Sequence, residues 1–408
     1  MFIRTLCLAA AAAALAPAQA ASPFTLEQAL SLATQRSEAT RAARAAVAGA
    51  AETARAAGQL PDPVFQAGID NLPVTGSNRL STAADFMTMR RIGLSQEWLS
   101  AEKRLLREAA AEAALGREAA GVQTALADAR LQTALAYIET YYVGQALRLA
   151  ELSERHMGEE VEAATARLRA SAGNGQEALA SATARGLAED DSAETRQAHA
   201  AARVALQRWI GEPVEAVAEP AAMTPLSEAD YVARHPAVVV GRREVEMARA
   251  QADLTRSDRK PNWTWQVSYG QRAGRSDMLS VGVNIPLAVA PAQRQDRDTA
   301  AKLALVDKAE AALEETRRAA AAEFARLAGD ARRLAERVDR YRQAVLAPAQ
   351  QREAVAVAGL RSNQALLMTL FEARQAQVAA QRRLLTLQKE HAMVRAQLAF
   401  RPVTGGEQ

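Results

Sequence analysis

The sequence predicts a mainly α-helical protein with a small β part, built from two copies of one long helical-hairpin pattern with a pair of strands in each. Three observations carry that expectation. The 49% apolar content is dominated by alanine, and aromatic residues make up only 4%, which suits long, closely spaced helices rather than a broad aromatic core. Alanine, arginine, glutamate, leucine and glutamine fill much of the chain, and all are strong helix formers. Finally, the order helix, strand, loop, strand, very long helix, tight turn, helix occurs twice, which marks an internal duplication.

The first residues read as an export signal. Arg4 supplies a positive charge and Leu6 to Leu15 is a short apolar run. Ala16-Pro17-Ala18-Gln19-Ala20 ends in an Ala-x-Ala site, so a signal peptide over 1–20 is expected. The run is far short of the roughly 20 residues that span a bilayer, and no later stretch reaches that length. Cys7, the only cysteine, lies inside this segment. The rest of the chain therefore has neither disulfides nor thiolate metal sites. The net charge of +3 is near balance, with both signs interspersed, and no basic block carries interleaved aromatics. Nucleic acid is not an expected partner.

The first repeat covers 21–211 and the second 227–400; a connector over 212–226 holds Pro213, Pro220 and Pro225, and 401–408 is a tail. Each repeat opens with a helix, Leu26 to Gly58 and Glu228 to Ser257, that ends shortly before a proline (Pro61 and Pro63, then Pro261). Past the prolines the apolar period changes to two. Trp263, Trp265, Val267 and Tyr269 alternate with Thr264, Gln266, Ser268 and Gly270. After a turn over 272–276, Leu279, Val281, Val283 and Ile285 alternate with Ser280, Gly282 and Asn284. The first repeat gives a weaker version. Phe65, Ala67 and Ile69 stand against Gln66, Gly68 and Asp70, then comes a loop through Pro73 and Gly76. The return strand spans Phe86 to Trp98, with Ile92 and Leu94 as its clearest outward pair.

An apolar face against a small or polar one over about ten residues is the pattern of a transmembrane β-strand. On that pattern the lipid-facing set is Phe65, Ile69, Ile92, Leu94, Trp263, Trp265, Val267, Tyr269, Leu279, Val281, Val283 and Ile285. Gln66, Asp70, Gln266, Ser268 and Asn284 face a lumen. Four strands cannot close a barrel, and an open edge is not tolerated in lipid, so several chains must share one; three would give twelve strands.

Helical segments follow each strand pair. Ser100 to Ala172 runs for about 100 Å as a single helix, and Gln293 to Ala358 repeats it with a kink expected at Pro348. Leu131, Leu135, Ile138, Tyr142, Ala146 and Leu149 form one seam; Leu327, Leu334, Val338, Tyr341 and Val345 form another. Turn signals at 171–175 and 359–363 reverse the chain into returning helices, Gln176 to Ile210 and Gln364 to Phe400.

These pieces together resemble the TolC family of outer-membrane efflux proteins over nearly the whole chain. The resemblance rests on Phe24-Thr25-Leu26-Glu27-Gln28-Ala29-Leu30, Leu60-Pro61-Asp62-Pro63, and Leu206-Gln207-Arg208-Trp209-Ile210-Gly211-Glu212-Pro213. The second repeat adds His235-Pro236 and Ser280-Val281-Gly282-Val283-Asn284-Ile285-Pro286-Leu287. It implies a homotrimer with a twelve-stranded barrel in outer-membrane lipid and a twelve-helix periplasmic tube, meeting a periplasmic adaptor and an inner-membrane pump. The motifs are most similar to the branch that serves heavy-metal pumps of the cobalt-zinc-cadmium or copper-silver type. A multidrug or type I protein-secretion duct shares the architecture, and a periplasmic coiled-coil structural or adaptor protein shares the helices. By the same resemblance, adaptor docking and gating fall at Arg169, Gly173, Asn174, Gly175 and Leu179 in the first repeat, and at Gly359, Arg361, Ser362, Leu366 and Leu367 in the second. One departure stands out: the acidic residues usual past the second tip are replaced by Ala365 and Met368, and the nearest carboxylates are Glu177 and Glu372.

No catalytic site is expected. His156, His199, His235 and His391 have no partners at ligand spacing. Asp190-Asp191 and Glu159-Glu160 are neighbours on helices, where adjacent side chains diverge. Gly173-Asn174-Gly175 follows no strand and is a turn, not a phosphate loop. No cofactor or metal is expected.

Overall fold

The computed structural model describes residues 23–171, 173–362 and 367–404. The proposed signal peptide, Ala365 and Leu366 lie outside these residues. Among them the chain forms nine α-helices and one four-stranded antiparallel sheet of order β1-β2-β3-β4. The helices are α1 (Leu26–Arg36), α2 (Glu38–Ala57), α3 (Ala101–Arg169), α4 (Gly175–Ile210), α5 (Glu228–Ala233), α6 (Pro236–Arg256), α7 (Gln295–Tyr341), α8 (Ala347–Arg361) and α9 (Leu367–Phe400). The strands are β1 (Val64–Asp70), β2 (Met89–Trp98), β3 (Trp263–Arg272) and β4 (Met278–Asn284).

Both opening helices are broken where one continuous helix is expected. Ser37 ends α1 and caps α2, accepting the Thr40 N–H at 3.1 Å, so a local side-chain bond replaces a helical one. In the second repeat the break falls before Pro236, which starts α6; a residue preceding proline is pushed out of the helical region. Thr25 starts α1 with a reciprocal capping box to Gln28.

The 69-residue α3 is unbroken, capped by Ser100, and spans about 100 Å at 1.5 Å per residue. Its counterpart is not. A π-helical turn over Arg342–Leu346 separates α7 from α8. Pro348 has no N–H to offer the carbonyl four residues back, and the ladder adjusts just before it. This adjustment turns Val345 outward, 40% exposed, where the seam spacing places it inside.

Packing is built from small residues. Ala29, Ala134, Ala150, Ala373 and Ala396 are fully buried, which lets helix backbones approach closely. One cluster joins α1, α3, α4 and α9 through Leu26, Tyr137, Ile138, Leu206, Ile210 and Ala396. Three more run along the second repeat: Val238, Val245 and Leu313; Tyr231, Leu327 and Leu398; Val338, Leu384 and Leu387. Around Tyr137 the segment just before α1 crosses the connector. Phe24 bridges Val217, with Phe24 N–H donating to the Ala216 carbonyl at 3.2 Å and Ala218 N–H to the Phe24 carbonyl at 2.9 Å. α4 ends at Gly211, whose φ of +85° is the left-handed cap that glycine takes at least cost.

Candidate functional site

All four strands meet the helices at one end, because α2 and α6 lead into β1 and β3 while α3 and α7 follow β2 and β4. The loops 71–88 and 273–277 form the distal end. The register then sorts every side chain, since directly opposed residues share a face and neighbours along a strand do not. Phe65, Leu94, Val267 and Val281 form one continuous row across the sheet; Ala67, Ile92, Tyr269 and Leu279 form the next. On the same face Trp265 opposes Val283 and Trp98 opposes Trp263. Ile69 completes this face in β1, and Ile285 lies one residue beyond β4, outside the ladder. The sheet thus brings eleven of the twelve expected lipid-facing residues onto one surface. It is bare within the chain: Phe65 is 69% exposed and Val281 72%.

The opposite face holds Gln66, Gly93, Ser268 and Ser280 in one row, Ser95, Gln266 and Gly282 in another, and Asp70, Thr264 and Asn284 beside them. This face is crowded. A Cβ at Gly93 would lie 2.8 Å from the Ser268 Cβ, and one at Gly282 would lie 2.9 Å from the Gln266 amide nitrogen. A sheet that curls toward one side compresses the side chains there, so glycine and serine mark this as the concave face. Arg91 and Asp70 form an ion pair at 3.2 Å on it.

β1 and β4 each have a partner on one side only, which leaves two ladder edges open. The helix-proximal end is stapled to the helices instead. Gln96 donates to the Pro61 carbonyl at 2.6 Å, Asn262 to Glu97 at 2.7 Å, and Lys103, almost buried, pairs with Asp258 at 2.6 Å. These contacts fix the angle at which sheet and helices meet.

At the far end of α3 the first tip turns through Ser171, with φ of +57°, and Asn174 caps α4 by accepting the Glu177 N–H at 2.8 Å. Gly173 lies close against the backbone at Arg167 and Leu168, where a Cβ would come within 3.2 Å of the Arg167 Cβ. Gly175 opens α4, Arg169 ends α3, and Leu179 is 72% exposed. At the second tip Ser362 follows α8 and its hydroxyl donates toward the Ala358 and Gly359 carbonyls; Arg361 is exposed. Leu367 begins the described part of α9. The two tips come from different repeats and are cross-tied below their ends by Arg374, 2.8 Å from Glu159 and 3.7 Å from Glu353. Glu177 is paired with Arg167 at 3.0 Å and Glu372 with Arg352 at 3.6 Å, so both carboxylates already have cationic partners.

Each histidine is held below its usual range, chiefly by burial. His235 lies 3.4 Å from Glu323, which also takes Arg401 at 3.2 Å and the Tyr231 hydroxyl at 3.3 Å. That cluster bolts α5 and the segment just after α9 to α7. Among the described residues no group of three or more His, Cys, Asp and Glu is placed to hold a metal ion, and no helix is long and apolar enough to cross a membrane.

No protein-family model matches the sequence, and none of the curated proteins does. Solved structures do. The chain is similar to the outer membrane protein VceC of Vibrio cholerae, at 18% identity over 92% of this chain and 96% of that one, with a TM-score of 0.74. The chain has the fold of the outer-membrane channels. CusC, a protein described through its folding and transmembrane channel formation, matches this fold at 15% identity over 93% and 92% of the two chains, with a TM-score of 0.77. The open-state MtrE outer membrane channel of Neisseria gonorrhoeae matches at 16% identity over 92% and 88%, with a TM-score of 0.73. Sequence inspection missed Trp98 as the partner of Trp263, and Arg90 on the apolar face; the register alone aligns them.

Proposed function

We propose that this chain is one protomer of an outer-membrane export duct that extends into the periplasm. One observation carries the reading: a four-stranded sheet with one largely exposed apolar face, a compressed polar face and two open edges, mounted on a helix of about 100 Å. Open edges are excluded from lipid, and closed outer-membrane barrels start at about eight strands, so three chains closing a twelve-stranded barrel satisfy every ladder. The polar face lines the water-filled lumen, and the helices form the periplasmic tube. Conduction is passive, with energy supplied by an inner-membrane pump. The helical tips at Gly173–Gly175 and Gly359–Ser362 are where a periplasmic adaptor docks and opens the tube. Likeness to known channels at such low identity supports the architecture, while the motifs of the chain favour heavy-metal ions as cargo.

The test has two arms. Membrane fractionation should place the protein in the outer membrane as oligomers that dissociate only on heating; a soluble rod would overturn the duct. A deletion strain with and without the restored gene is then challenged with metal ions, drugs and secreted-protein assays. Selective sensitivity to zinc, cadmium, cobalt, copper or silver is expected. Sensitivity to dyes and antibiotics alone would move the cargo to drugs, and a defect only in secretion would make it a protein duct.

A further inference from the structure

Three polar residues interrupt the apolar face: Gln96, Arg90 and Gln271. Gln96 is explained, because its amide is bonded to the Pro61 carbonyl. Arg90 and Gln271 are not. They stand directly opposite each other at the distal end, both are exposed, and neither has a polar partner among the described residues. Just below them lies a notch lined in part by Ala67, Ile69, Ile92 and Tyr269, opened by the small side chain of Ala67 between Phe65 and Ile69. We propose that this place binds a phosphate-bearing membrane lipid, the phosphate against Arg90 and Gln271 and an acyl chain in the notch over Ala67.

The position along the strands fits. Trp98 to Arg90 and Trp263 to Gln271 are each eight residues. At about 3.3 Å per residue and a tilt of about 40°, that is roughly 20 Å of height, close to the apolar band of about 25 Å in outer-membrane barrels. With the Trp98–Trp263 row at the periplasmic boundary, the guanidinium reaches the opposite headgroup layer. Arginine's fork matches a phosphate, and Gln271 adds amide donors. The neighbouring carboxylate, Asp277, is occupied by the Tyr269 hydroxyl. Trp98, Trp263 and the apolar rows would hold any lipid; Arg90 adds selectivity for an anionic one.

The inference rests on the sheet being embedded in the membrane. The experiment is native mass spectrometry of the full-length protein extracted in neutral detergent, titrated separately with bisphosphorylated lipid A, dephosphorylated lipid A and inorganic phosphate. Wild type should retain the phosphorylated lipid about fivefold more strongly than the dephosphorylated one. Arg90→Gln should remove that preference, Ala67→Phe should weaken both lipids, and Arg272→Gln, on the opposite face, should change nothing. An assembled membrane protein whose preference survives Arg90→Gln would overturn this inference alone. Competition by inorganic phosphate as strong as by lipid would overturn the lipid assignment. Recovery as a soluble single chain would overturn both this inference and the duct.

Discussion

Trp98 and Trp263 stand directly opposite each other in the register of β2 and β3, each 54% exposed, at the end of the apolar face nearest the helices. Tryptophan favours the boundary between hydrocarbon and water, and here two indoles from different repeats mark the same height. They set the frame in which the other rows take their depth: Leu94 and Val267 lie four residues from the tryptophan row and four from Arg90 and Gln271, midway up the band.

Val281 shares that middle row, so Val281→Arg places a charge at mid-depth, at a cost of about 2–4 kcal/mol per chain. Heat-sensitive oligomers should disappear from membrane fractions. Gln66→Arg, at the same depth on the polar face, should still assemble. Equal yields of the two variants would count against the face assignment.

Gly93→Val tests the concave face. The added Cβ would sit 2.8 Å from that of Ser268, so the strands must move apart. Assembly yield should fall sharply, while Ala67→Val, on the exposed apolar face of the same sheet, should assemble normally. The same loss in both variants would argue against a curled sheet.

The hydroxyl of Tyr137 lies 2.7 Å from the Phe24 carbonyl and 2.8 Å from the Ala218 carbonyl, sharing one proton between them. Tyr137→Phe leaves both acceptors without that donor and should cost about 1–3 kcal/mol, seen as faster amide exchange at Phe24 and Ala218. Burial pushes the Tyr137 hydroxyl up to about 12. A raised phenol contributes stability that is complete below its unfolded value near 10 and is lost as pH rises toward 12. The wild type should therefore weaken between those limits by more than the phenylalanine variant does.

Glu160 is buried in the α3–α4 seam, within 3.4 Å of the Ser181 hydroxyl, with its second oxygen unpaired. Burial raises its carboxyl above the usual range, the serine bond opposes this, and Glu177 adds to it. The contribution is therefore fully present below the unfolded value and lost as pH rises through the folded one. At neutral pH Glu160→Gln should slow amide exchange in the first tip, and the effect should vanish in acid. Faster exchange in the variant at neutral pH would contradict this account.

Much of the architecture was legible because its signals are periodic. Period-two runs at Phe65–Ile69 and Trp263–Tyr269 mark strands, and α3 is written as a proline-free run dominated by helix formers. What escaped is what depends on a single local competition or on distance. Ser37 is unremarkable in composition, yet its hydroxyl replaces a helical bond. Pro348 announces a kink, but its resolution as a π-helical turn that exposes Val345 follows from packing. The pairing of Lys103 with Asp258, and the isolation of Arg90 beside Gln271, arise only when strands from two repeats come into register.

The most direct test of the membrane-embedded sheet uses the absence of cysteine beyond Cys7. Single cysteines at Phe65, Val267 and Val281, and at their neighbours Gln66, Ser268 and Ser280, are labelled in intact outer-membrane fractions with a water-soluble maleimide. Labelling of the second set and protection of the first are expected, alternating residue by residue along each strand. Uniform labelling of both sets would contradict the membrane-embedded sheet.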